Sequence, residues 1–194
     1  MTEWFQGDRA VAATVVVVEP AVVVRVKRPE VDGYVALQLG HGAVVGSRLP
    51  QPLAGQFAKG VTPRRILYEA RVEDPDAYEV GQEIGVDAFQ EGEQVDVTGT
   101  AKGRGFSGTI KRWGFGYRPK SHGHKFIRRP GTSGPMGLRK VIRGKKMPGH
   151  CGAGTVTVRN LEVLRVDPAR GLLVLRGSVP GARKGLLRIR KHDA

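Results

Sequence analysis

The chain has 194 residues, enough for one domain with its own core or for a domain carrying a large appendage. Its 32 Lys and Arg stand against 18 Asp and Glu, a formal net charge of +14 that points to a polyanionic partner. No apolar run approaches the roughly 18 residues of a membrane-spanning helix, and the single cysteine, Cys151, excludes an intrachain disulfide. The opening "MTEWFQGDRA" lacks the charged-then-apolar order of a secretory signal. A lone thiol fits a reducing compartment.

The first elements read as strands. "AVAATVVVVE" and "AVVVRVKR" are valine-rich and meet at Glu19-Pro20, where proline suits a turn or a strand edge. "GYVALQLG" is a third short strand bounded by glycine. "QPLAGQFAKG" predicts one or two helical turns with Gly60 as the C-terminal cap. In "RRILYEARV", Ile66, Tyr68, Ala70 and Val72 share one face and charged residues the other, the period of a half-buried strand. "EGEQVDVTGT" closes this part. Far downstream, "GTVTVRNLEVLRVD" alternates again, with a phase slip near Asn160 that predicts a bulge. "DPARG" is a turn, and "GLLVLRGSV" and "GLLRIRK" are further strands.

Between these parts the composition changes. Residues 101–150 hold 14 Lys and Arg and no acid, while the remainder of the chain carries 18 of each sign. The whole net charge therefore sits in one window, a localised electrostatic device rather than a solubilising coat. The window has 11 glycines and only Ile110, Ile127, Leu138, Val141 and Ile142 as aliphatic core formers. Ordering each residue costs roughly 1–2 kcal/mol, which burial at about 25 cal/mol per Å² cannot offset with so few apolar groups. The expected organisation is an all-β body of residues 1–98 and 155–194, with an extended basic arm, 99–154, inserted between strands and folding against a partner.

Within "GTAKGRGFSG", Gly103, Gly105 and Gly108 spell G-x-G-x-x-G. A dinucleotide site needs a helix opening at the third glycine and an acid about 20 residues on. The following "TIKRWGFGYRPK" is a poor helix, broken by Gly114, Gly116 and Pro119, and no acid occurs between Asp96 and Glu162. G-K-[ST] is also absent. The glycines serve better to bring backbone N–H groups close to the phosphates of a nucleic acid. Phe106, Trp113, Phe115, Tyr117 and Phe126 are interleaved with the bases, as expected where unstacked RNA bases rest on rings. Trp113 equally suits a second role, covering the base of the arm. His122, His124 and His150 beside Cys151 lack the paired spacing of a zinc site, and no serine–histidine–acid pattern or arm carboxylate supports catalysis. Neither cofactor nor metal is expected, and an enzyme is not.

The candidate RNA-binding residues are Lys102, Arg104, Lys111, Arg112, Trp113, Arg118, Lys120, His122, His124, Lys125, Arg128, Arg129, Arg139, Lys140, Arg143, Lys145 and Lys146.

Longer stretches carry a resemblance. "VDVTGTAKGRGFSGTIKRWGF" is similar to the ribosomal protein L3 family of the large subunit, the bacterial type above all. "SHGHKFIRRPGTSG" resembles the family's S-H-G followed by H-R-x-P-G-S-I-G. "RGKKMPGHCGAGTVTVRNLEVLRVD" resembles its K-G-K-K-M-A-G-H-x-G and V-T-V-x-N-L. "GLLVLRGSVPGARKG" and "LAGQFAKGVTPRRILYEAR" match further family segments, so the likeness spans most of residues 8–190 in order. It implies a mainly β fold, a translation-protein-type β-barrel with a long irregular basic extension. That extension would pass through large-subunit rRNA toward the peptidyl transferase centre, with Pro135, Met136, Gly137, Leu138 and Arg139 nearest the catalytic RNA. It implies a cytoplasmic location in the large ribosomal subunit, neighbouring large-subunit proteins as partners, no small-molecule substrate, and a part in early subunit assembly; a transient RNA chaperone or assembly factor is the alternative. Three departures stand out. The family usually carries further residues before its G-M-T. "GTSGPMGLRKVIRGKK" lacks the glutamine-bearing tip that many bacterial members methylate, so that modification is not expected. "HCGAGTVTV" has no acid where the family often has glutamate.

Overall fold

The computed structural model describes residues 1–44, 49–57, 60–134, 137 and 140–192. The chain is mainly β. The strands are β1 (Thr2–Gln6), β2 (Arg9–Val17), β3 (Ala21–Lys27), β4 (Ala36–Ala43), β5 (Arg64–Ala70), β6 (Glu83–Ile84), β7 (Gln94–Thr100), β8 (Phe106–Ser107), β9 (Gly149–His150), β10 (Thr155–Asp167), β11 (Leu172–Arg176) and β12 (Leu187–Lys191). Among the described residues, three short α-helices accompany them, α1 (Pro29–Asp32), α2 (Gln51–Ala54) and α3 (Thr109–Trp113), with 3-10 turns at Pro75–Ala77 and Val86–Ala88.

Six strands pair in the order β1-β2-β11-β10-β7-β12, four in the order β5-β4-β3-β6, and β8 with β9. Among the described residues this pairing leaves β1, β12, β5 and β6 at sheet edges. The two valine-rich strands that flank Pro20 part company, β2 entering the six-stranded sheet and β3 the four-stranded one. β1 was not anticipated from the sequence; it returns on β2 through Gly7-Asp8, a two-residue hairpin turn with glycine first.

Burial follows the apolar period. In the four-stranded sheet Val23, Leu37 and Leu39 form a buried cluster, and Tyr68, Ala70 and Val72 pack against it from the face predicted for that strand. In the six-stranded sheet Leu173 and Leu175 are fully buried beside Val163 and Val95. The bulge expected near Asn160 lies a little further on. The β10–β11 register shifts between Val163 and Arg165, while Asn160 takes a left-handed conformation, φ +57°. The predicted helix over 51–60 is shorter than expected: α2 ends at Gly55, not Gly60, and Ala58 and Lys59 lie outside the described residues.

The chain divides into two compact units. One comprises Met1–Asp96, Arg159–Ser178 and Arg190–Ala194, the other Val97–Val158 and Val179–Ile189. The second unit contains 17 Lys and Arg and no Asp or Glu, leaving 15 bases with all 18 acids in the first. Among the described residues, Val97 is the one buried apolar side chain of the second unit; Gly99, Ser107 and Thr109 are its other buried residues.

Candidate nucleic-acid interface

The candidate site is built on a neck in the second unit. Ala101 N–H donates to the Gly154 carbonyl (2.9 Å), Arg104 N–H to Cys151 (2.8 Å) and Cys151 N–H to Gly105 (3.0 Å). The β8–β9 pair, Phe106 opposite His150, continues this antiparallel ladder. Residues 108–148 thus leave and return at one place. Gly152 makes the closest approach in the neck: its φ is +77°, and a Cβ there would collide with the Lys102 carbonyl.

Beyond the neck the described residues make one short helix. Gly108 precedes α3, and Gly114 ends it in the left-handed conformation with its N–H on the Ile110 carbonyl. The third glycine of G-x-G-x-x-G therefore does open a helix, but one of five residues, placed after a strand with an antiparallel partner. This is not the strand–helix–parallel-strand setting of a dinucleotide site.

Trp113 is held by the protein. Its Nε1–H donates to the Met147 carbonyl (2.9 Å), which also accepts from Arg112 Nη1 (3.0 Å). The Arg112 guanidinium and the Lys146 ammonium lie 5.0 and 5.7 Å from the ring centroid. α3 is thereby pinned to the returning segment at Met147. Further out, Arg118 N–H reaches the Ile127 carbonyl (3.1 Å) and closes a loop that carries Lys120, His122, His124 and Lys125. The Arg129 guanidinium sits 4.6 Å from the centre of the Phe126 ring.

Among the described residues of 116–148, only Ile127 is other than exposed. Lys102, Arg104, Lys111, Arg118, Lys120, Lys125, Arg128, Arg129, Lys140, Arg143, Lys145 and Lys146 are all exposed, Arg112 is half-buried, and none of them meets an acid. Phe106, Tyr117, Phe126, Val141 and Ile142 are also exposed, so apolar surface is interleaved with the charge. Of the tip, Gly137 is exposed; Pro135, Met136, Leu138 and Arg139 lie outside the described residues. Among the described residues no three His, Cys, Asp or Glu converge.

The acids behave differently. Every ion pair found among the described residues lies within the first unit. Asp96, 1 % exposed, accepts from Arg190 (3.1 Å), from His192 Nδ1 (2.9 Å) and from the Asn160 N–H (3.2 Å). Burial alone would push its carboxyl up, but these donors outweigh burial and hold it below its ordinary value. The left-handed turn at Asn160 thus aims a backbone N–H at a buried carboxylate.

Comparison with known proteins decides the family. The model of the family "Ribosomal protein L3" matches residues 75–171. A Carboxydothermus hydrogenoformans protein, "Large ribosomal subunit protein uL3", is 52% identical over 193 residues, covering 98% of this chain and 92% of its own length. Its Thermotoga maritima counterpart of the same name is 53% identical over 196 residues, covering 100% of this chain and 94% of its own. A Bifidobacterium longum protein of that name is 47% identical over 190 residues, at 96% and 89% coverage.

The chain belongs to the ribosomal protein L3 family.

Membership of the L3 family places it among ribosomal proteins rather than enzymes. The family match begins in the first unit and runs through the whole basic window. Sequence reasoning missed three exposed bases of the second unit, Arg183, Lys184 and Arg188. Counted with the rest of the chain they vanish into a neutral total; the available signal was that "VPGARKGLLRI" has bases and no acid.

Proposed function

We propose that this protein is a structural constituent of the large ribosomal subunit, resident there, and that its inserted segment binds large-subunit rRNA. The observation that carries this reading is the segment itself. It offers exposed Lys and Arg side chains with no acid to meet them, on an irregular chain with almost no core. Such a surface is completed by a polyanion: the bases neutralise phosphates, the glycines permit close passage of the backbone, and Tyr117 and Phe126 offer ring faces to unpaired bases. The names of the relatives, large-subunit proteins all, support the same reading. On it, the β strands of 1–98 and 155–194 act as a translation-protein-type barrel that anchors the chain on surface rRNA and neighbouring proteins. The arm, 99–154, runs toward the peptidyl transferase centre, and Pro135–Arg139 come nearest the catalytic RNA. Binding early, it assists subunit assembly.

Quantitative mass spectrometry of salt-washed large subunits tests this. About one copy per mature particle is the expected result. Far less than one, with enrichment on immature particles, would establish a transient assembly factor instead. Substitutions at Pro135–Arg139 that leave peptidyl transfer, antibiotic response and subunit assembly all unchanged would overturn the placement of the tip.

A further inference from the structure

Arg183, Lys184 and Arg188 do not belong to the inserted segment, yet they share its compact unit and its freedom from acids. The loop that carries the first two is built against the end of β7. Gly181, φ +105°, lies so close that a Cβ would stand 2.8 Å from the Thr100 carbonyl, and one on Gly99 would stand 3.0 Å from the Pro180 carbonyl. Ala182 then begins a tight turn, with the Gly185 N–H on its carbonyl (3.0 Å) and Lys184 left-handed at φ +60°. Arg183, Lys184 and, on β12, Arg188 are all exposed, and none is in an ion pair. A lysine in the left-handed region costs conformational energy that asparagine or glycine would largely avoid. The fold nonetheless fixes this turn at a point two residues before Lys102, where the basic segment begins.

We infer that the loop 179–189 is a second RNA site, distinct from the arm, which grips backbone phosphates of structured RNA at the arm's root. This rests on the RNA-binding reading above and adds a partner surface to it. The arm alternates bases with rings, suited to unpaired nucleotides; residues 179–189 contain no aromatic residue at all. Charge without stacking surface recognises phosphate position, not sequence.

The test uses the full chain and two probes, large-subunit rRNA and an RNA duplex of unrelated sequence. The variant is Arg183→Gln with Lys184→Asn and Arg188→Gln; asparagine keeps the left-handed turn. The control removes three bases of the first unit that its own acids already hold, Arg25→Gln, Arg28→Gln and Arg176→Gln. The log–log salt slope of binding should shrink by about 2–3 in the loop variant on both probes, at unchanged melting temperature, and the control should shift it by less than about 1. Equal slopes for loop variant, control and wild type would overturn the loop site while leaving the arm intact. A wild type that binds neither probe would overturn the RNA-binding reading itself. If the triple variant melts early, Lys184→Asn alone decides, with an expected shrinkage of about 1.

Discussion

The two compact units solve opposite problems with the same chain. In the first, acids and bases are nearly balanced and each ion pair is internal: Lys27 reaches Glu69 at 2.6 Å, Lys191 reaches Glu93 at 3.0 Å, and Asp96 is enclosed by its donors. Apolar strand faces bury one another, and the unit is held by its own contacts. The second holds 17 bases and no acid, and Val97 is its only buried apolar side chain among the described residues. Its internal order rests on backbone hydrogen bonds at the neck and on the Trp113 clasp. The difference teaches where each unit's stability comes from. One is completed by its core; the other, on the proposed reading, is completed by a polyanion.

The sharpest way to break this comparison is salt. If about half of the bases in the 101–150 window contact phosphate, affinity for large-subunit rRNA should follow a log–log slope near −5, a loss of about 10³-fold between 50 and 200 mM salt. Filter binding across that range checks it, and a slope shallower than about −2 would mean that the unpaired charge is not what binds.

Core substitutions come next. Leu37, 1 % exposed in the Val23–Leu39 cluster, should cost about 2–5 kcal/mol of folding stability when replaced by alanine. Ile142→Ala, at a side chain 59 % exposed, should stay within about 0.5 kcal/mol. Urea denaturation of both variants measures the contrast, and comparable losses would show that the basic segment has a core of its own.

A ring in the basic segment should show the reverse pattern. Phe126→Ala should weaken rRNA binding by about 1–3 kcal/mol and leave the melting temperature where it was. A lower melting temperature with unchanged affinity would assign Phe126 to packing.

The smallest effect concerns acid. Asp96 is held below its ordinary value in the folded state. Its contribution is therefore present above the unfolded value of about 3.8 and is lost as pH falls through the lower, folded one. Asp96→Asn should flatten the acid limb of stability below about pH 4, seen as a melting temperature that varies less with pH than that of the wild type. An unchanged limb would place the acid sensitivity elsewhere, Glu69 and Glu93 being lowered too.

Much of this contrast was legible because strand period and charge are local. Ile66, Tyr68, Ala70 and Val72 announce the inner face of β5 by their spacing, and the acid-free window is a matter of counting. What was not legible depends on partners far along the chain. Nothing local says that β2 pairs with β11 while β3, only four residues later, pairs with β4. The Trp113 clasp needs Met147, 34 residues away. Gly-Asp in "FQGDRA" does signal the β1–β2 turn. Arg183, Lys184 and Arg188 lie about 30 residues beyond the basic window, and only the fold gathers them into the same acid-free unit.

The neck has a topological consequence. A basic tail with a free end can be threaded into a folded RNA after the RNA has set. A segment whose two ends are stitched together by β8 and β9 has no end to lead the way. It can enter an RNA only as a doubled chain, so either the opening admits both passes of the chain at once or the RNA closes around them, and the protein's connectivity sets that requirement before any rate is considered.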